Sequence, residues 1–178
     1  HEALGIRPIS FHVVQHAERD SGVRTTGVQL VGLERRNFTH ALVVLDYEGS
    51  GAEEPSEELE EQLDRQLSAR WGSEAKAIVI DPELEAWIWG SDNALKQLLD
   101  WPYETGIRQW LQEREYVISA DAKPERPKEA LESVLQACRT PRSSAIYGKI
   151  ADRISISRCT DPAVGRLCAQ LSRWFPAT

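Results

Sequence analysis

Two short apolar runs that each end in an aspartate, ALVVLD at Ala41–Asp46 and AIVID at Ala77–Asp81, constrain the fold of this chain most strongly. Neither run alternates apolar with polar residues. A nearly continuous apolar strand is one covered on both faces, which is the habit of parallel sheets packed between helices. A third β-rich run, ISFHVV at Ile9–Val14, is a further strand candidate. Parallel neighbours need a long crossover, and the residues between the two main runs provide one. In PSEELEEQLDRQLSARW, Leu59, Leu63 and Leu67 recur at helical spacing behind Pro55 and Ser56, as expected of an amphipathic helix over 56–71. Further helical patterns cover Thr26–Arg36, Pro82–Gly90, 92–100 and 105–115. From Lys123 the texture is helical throughout, with Arg126–Ala137, Ser143–Arg153 and Asp161–Trp174 separated by Pro or polar breaks. The expected fold is therefore α/β: a mostly parallel sheet flanked by helices, with a helical C-terminal portion over 123–178.

The 178 residues suit a single α/β domain over 1–178 with its own core. The chain starts at His1 and contains no Met, so its natural N-terminus is expected to lie upstream, and the domain to be N-terminally incomplete. No apolar run approaches the roughly 18 residues of a membrane span, and no membrane partner is expected. The cysteines, Cys138, Cys159 and Cys168, are odd in number and lack metal-ligand spacing, which argues against a disulfide framework or structural zinc and for a cytoplasmic setting. The four histidines all precede residue 41 and form no HExxH pattern.

Charge is unevenly distributed. Residues 1–122 carry 11 basic and 23 acidic side chains, whereas 123–178 carry 10 basic and 5 acidic. The acidic excess gathers on the 56–71 helix, where a solvated face explains it. The basic residues Arg139, Arg142, Lys149, Arg153, Arg158, Arg166 and Arg173 are spaced so that they can form a phosphate-tracking surface or simply a soluble one.

Carboxylates dominate the candidate chemistry. In LVVLDYEGSG, Asp46 and Glu48 stand two apart at a strand end, so in extended chain they point the same way and can converge on one divalent cation. Loop capping by Asp46 and solvation of Glu48 would satisfy the same spacing. In AIVIDPELEAWIW, Asp81 ends the strand, and Glu83 and Glu85 follow in a first helical turn, where the helix dipole favours them regardless of function. Glu85 sits among Leu84, Ala86, Trp87, Ile88 and Trp89, and so needs an arginine, a backbone donor or a metal as partner. If the two strands are neighbours, Asp46, Glu48 and Glu85 reach one edge of the sheet and can form an oxygen-lined Mg²⁺ or Mn²⁺ site. Nucleophile elbows and phosphate-binding glycine loops are absent from the sequence.

The series DYEGSG, IDPELEAWIWGSDN, KPERPKEAL, TPRSSAIYGKIADRIS and CTDPAV with a closing WFP resembles a family of bacterial proteins linked to methylation-associated anti-phage defence systems. It is similar, more distantly, to uncharacterised Toprim-like proteins. The resemblance runs from about Ile6 to Pro176. It implies a metal-binding fold shared with nucleases, primases and topoisomerases, in which a Glu after the first strand and an Asp-x-Asp pair after a later one hold Mg²⁺. Asp46 and Glu48 match the pair, here as Asp-x-Glu. Glu85-Ala86-Trp87 matches a Glu-x-Trp motif, and Lys128 matches a Pro-Lys motif. The first strand and its Glu would precede His1. Lys128 and Arg142, the latter beside Ser143 at a helix start, would neutralise phosphates.

The function so implied is that of a component of a bacterial anti-phage defence system, a Mg-dependent, Toprim-like nuclease with Asp46, Glu48, Glu85 and Lys128 as catalytic residues. Its partners would be other subunits of the system together with DNA or RNA. The alternative is a non-catalytic adaptor that binds partner subunits through the acidic helix 56–71 and the basic helices of 143–174. Processing of a nucleotide instead of a polymer is a third course open to the same carboxylates.

Overall fold

The computed structural model describes residues 2–90, 92–117, 123–154 and 159–177. The chain divides into two compact units, His1–Glu83 with Pro162–Thr178, and Leu84–Asp161. The helices of 123–178 are thus shared between units and do not form one block.

The first unit is α/β. Its elements are α1 (Arg19–Leu33), β1 (Ala41–Asp46), α2 (Ser56–Trp71), β2 (Ala75–Ile80) and, from the C-terminus, α7 (Pro162–Trp174). β1 and β2 pair in parallel with Ala41 opposite Ala75 and Asp46 opposite Ile80, the arrangement that a helical crossover through α2 permits. The period of two sends Val43, Leu45, Ala77 and Val79 to one face. There they join Val28 of α1 and Leu59, Leu63, Leu67 and Trp71 of α2 in a buried cluster. α7 packs against β2, with Ala163 and Val164 buried.

β2 has an edge that does not face β1, and side chains close it. The Val79 N–H donates to Glu60 Oε2 at 2.9 Å and the Ala77 N–H to Asp64 Oδ1 at 2.7 Å. Arg166 of α7 donates to the Val79 carbonyl at 3.1 Å and to Glu60 Oε2 at 2.9 Å. Lys76 Nζ lies 3.3 Å from Glu60 Oε1 and also pairs with Asp64. Glu60 is only 7% exposed, so the helix expected to carry a solvated acidic face instead turns two of its acids inward. The cause is the open ladder of β2, whose buried N–H groups require acceptors.

The second unit is helical: α3 (Asp92–Leu98), α4 (Ile107–Gln112), α5 (Pro127–Ala137) and α6 (Ser144–Arg153), preceded by a 3-10 helix at Leu84–Gly90. Ile88, Trp89, Leu95, Ile107, Trp110, Leu111, Leu131, Val134, Leu135 and Ile150 build its core. Pro127 opens α5, and the Ser143 side chain caps α6 by accepting the Ile146 N–H, as the sequence pattern implied.

Three expectations change. The segment Ile9–Val14 forms no strand: Phe11, Val13 and Val14 are exposed, by 72%, 67% and 52%. Its β-prone side chains find no sheet face to pack on, and such packing, more than backbone preference, makes a strand. His12 within it stacks 6.3 Å from Phe38, and His16 just after it bonds Thr26 at 2.9 Å. α1 starts at Arg19, seven residues before the expected Thr26, because Asp20 finds a partner in the Asp46 N–H at 3.0 Å. The Pro82–Gly90 pattern is a 3-10 helix starting at Leu84. Of the basic series, Arg158 lies outside the described residues, Arg166 and Arg173 belong to the first unit, and Arg139, Arg142, Lys149 and Arg153 to the second.

Replacing Glu60 with Leu strands the Val79 N–H and leaves Lys76 and Arg166 with less counter-charge. Such a loss costs about 1–3 kcal/mol, measurable as a lower midpoint in urea unfolding, and an additional Arg166→Met change is expected to cost less in that background than in the wild-type chain.

Candidate functional site

β1 stops at Asp46, and the chain turns at once. The Tyr47 N–H donates to the Ile80 carbonyl and the Glu48 N–H to the Pro82 carbonyl, both at 2.8 Å. These bonds hold residues 46–48 beside 80–82, at the C-terminal end of the strand pair, where ligands of parallel sheets sit. The turn itself is tightly fastened. Ser50, fully buried, donates through Oγ to the Tyr47 carbonyl at 2.7 Å and accepts the Ala52 N–H at 3.2 Å. Gly49 and Gly51 take φ of 85° and 71°, backbone that L side chains disfavour. Arg24 of α1 reaches the Ser50 carbonyl at 2.8 Å.

Four carboxylate residues occupy this end of the first unit on successive segments. Asp20 binds the Asp46 backbone, Asp46 ends β1, Glu48 is exposed in the turn, and Asp81 accepts the Ser56 hydroxyl at 2.6 Å. The extended geometry assumed for Asp46 and Glu48 is corrected here: Glu48 lies past the strand end, in the turn, so the i, i+2 rule does not set its direction. Asp20 and Arg24 escaped the sequence reading because they fall before the expected start of α1. An earlier helix start could have been read from Asp20 in a first helical turn.

Glu85 belongs to the second unit, and its neighbourhood is different. It faces the Tyr147 hydroxyl of α6. Burial first, then the charge of Glu85, with Glu132 adding to it, pushes the Tyr147 phenol above its usual range, while Arg142 pulls the other way. Arg142 pairs with Glu132 of α5 and lies 5.8 Å from the Tyr147 ring centroid. Lys128 stands one turn before Glu132 on α5, so the two share a helix face. Glu85 and Arg142, distant in sequence, thus both act on Tyr147, while Lys128 shares a helix face with Glu132; neither Tyr147 nor Glu132 stands out in the sequence.

Oxygen donors of this kind suit a hard divalent cation. Among the described residues, no group of three His, Cys, Asp or Glu side chains is arranged to hold a metal ion. Asp46 and Glu48 lie in one unit and Glu85 in the other. Burial, with the Asp100 charge, raises the Cys138 thiol. Among the described residues no helix is long and apolar enough to cross a membrane. No protein-family model, curated protein or solved structure matches this chain.

Because the folded chain favours the protonated phenol, the contribution of Tyr147 to stability is complete below the ordinary tyrosine pKa of 10.0 and is lost as pH rises through that value toward the raised one. Phenolate absorbance should show one of the four tyrosines titrating late, and the late component should vanish in Tyr147→Phe and move toward the ordinary range in Glu85→Gln.

Proposed function

We propose that this chain is a Toprim-like component of a bacterial anti-phage defence system, working in the cytoplasm, that acts on nucleic-acid phosphodiesters with the help of Mg²⁺ or Mn²⁺. The observation that supports this reading most is the gathering of Asp20, Asp46, Glu48 and Asp81 at the C-terminal end of a parallel strand pair, an oxygen-rich edge backed by a rigid turn. Asp46 and Glu48 would provide carboxylate ligands, with Asp20 and Arg24 fixing the backbone that carries them. A bound divalent ion would supply a more acidic water and stabilise charge on the phosphorane. On the second unit, Lys128 and Arg142 would offer cations to nucleic-acid phosphates.

An adaptor that binds other subunits is the second reading. Its support is the pairing of an exposed acidic face on α2, with Glu57, Glu58 and Glu61, and an exposed apolar segment at Phe11, Val13 and Val14. Surfaces of these two kinds are what protein docking uses.

The readings separate on titration of Mg²⁺ or Mn²⁺ into the wild-type chain and into an Asp46→Asn/Glu48→Gln variant, following thermal stability and cleavage of single- and double-stranded DNA and RNA. The nuclease reading expects a metal-dependent rise in melting temperature and cleavage, both lost in the variant. An identical metal response in both proteins would remove Asp46 and Glu48 from any site. A variant-sensitive metal response without cleavage would favour the adaptor.

A further inference from the structure

Away from the carboxylate edge, the first unit brings its two chain ends together around one histidine. Ile6 bridges Pro176 in antiparallel fashion, and the Arg7 N–H donates to the Phe175 carbonyl at 3.2 Å. His40, immediately before β1, packs against both rings at the end of α7, with centroid separations of 4.9 Å to Trp174 and 4.7 Å to Phe175. Trp174 is itself held by Nε1 donating to the Ser73 carbonyl at 3.0 Å. The His40 ring therefore fills the space between the strand start and the end of α7, beneath the N-terminal segment.

The charges around it are unfavourable to an imidazolium. Arg7 of the N-terminal segment lies 5.1 Å from the Phe175 centroid, and Arg35, from the turn after α1, also faces His40. Among the described residues the carboxylate that acts on the ring is that of Glu74, which precedes β2 and already pairs with Arg35 at 2.6 Å. On its own segment the Thr39 hydroxyl lies 2.9 Å from His40 Nδ1. Protonation would place a third cation beside the Arg7 and Arg35 guanidiniums, against two aromatic rings that displace water. Attraction to the Trp174 face offsets part of that cost.

We propose that His40 is a pH-sensitive latch: neutral, it holds the N-terminal segment and the end of α7 closed against the start of β1, and protonated, it lets them go. Opening would loosen α7, the helix that delivers Arg166 to Glu60 and to the Val79 carbonyl. The latch thus couples mild acidity to the edge of β2.

Burial lowers the His40 pKa below its ordinary 6.5; Glu74 opposes the shift, and Arg7 and Arg35 add to it. A lowered value favours the neutral ring in the folded chain. The clasp is then at full strength above pH 6.5 and weakens as pH falls through that value toward the lowered one.

Amide hydrogen exchange on the full chain, corrected for the intrinsic pH dependence of exchange, reads the latch directly at the Arg7 N–H. Between about pH 7.5 and about pH 5, protection of Arg7 should be lost in the wild-type chain and kept in His40→Phe, which retains a ring but cannot take a proton. Equal loss in both proteins would assign the transition to His12 or His16 and overturn the proposal. A second readout uses the wild-type chain alone: the His40 ring resonance should titrate below 6.5 together with a shift of the Trp174 indole signal. A midpoint at or above 6.5, or an indole signal that stays still, would overturn the latch even if the Phe variant failed to fold.

Discussion

The ionic closure of the β2 edge is the interaction on which the first unit depends. A two-stranded parallel sheet leaves each strand with a row of N–H and C=O groups that no neighbour takes, and burial makes each unpaired group costly. Here Glu60 and Asp64 accept from Val79 and Ala77, while Arg166 donates to the Val79 carbonyl. Side chains from two helices do the work of a third strand. The same contacts tie α2 and α7 to β2, so one small network sets the position of three elements. Lys76 and Arg166 provide the counter-charges that make a buried glutamate tolerable.

The carboxylate end of the sheet inherits its shape from this arrangement. With β2 held from its far side, the turn after β1 can be fastened to the residues after β2 through Tyr47 and Glu48. Buried Ser50 and the two positive-φ glycines then leave that turn little freedom. A rigid turn that presents Asp46 and Glu48 at a strand end is a suitable frame for ligands, because a site loses little order on binding when its backbone is already fixed.

The second unit solves a different problem. With no strand among its described residues, it packs short helices around Trp89, Trp110, Leu131 and Ile150, and large side chains compensate for the shortness of the helices. Its polar interior is small. The charges of Glu85 and of the Arg142–Glu132 ion pair all act on the half-buried Tyr147. Burial, with the nearby charges of Glu85 and Glu132, keeps the Tyr147 phenol protonated.

What the sequence by itself determined is the local structure that periodicity encodes. β1 matches Ala41–Asp46 residue for residue, α2 matches 56–71, and the Pro127 and Ser143 starts of α5 and α6 could be read directly, because the apolar spacing and the cap residues lie within a few positions of one another. What only the tertiary structure decided is everything that depends on a neighbour distant in sequence. Ile9–Val14 has strand composition but no sheet to join, Glu60 has the composition of a solvated acid but meets an open strand edge, and Asp20 starts a helix early because the Asp46 N–H is beside it. Glu85 is recognisable as a carboxylate in an apolar stretch, but that its charge acts on Tyr147, sixty-two residues on, is not. A local pattern records how a segment buries its own apolar face; which donor or acceptor it meets there is set by packing, and packing is not written in any one segment.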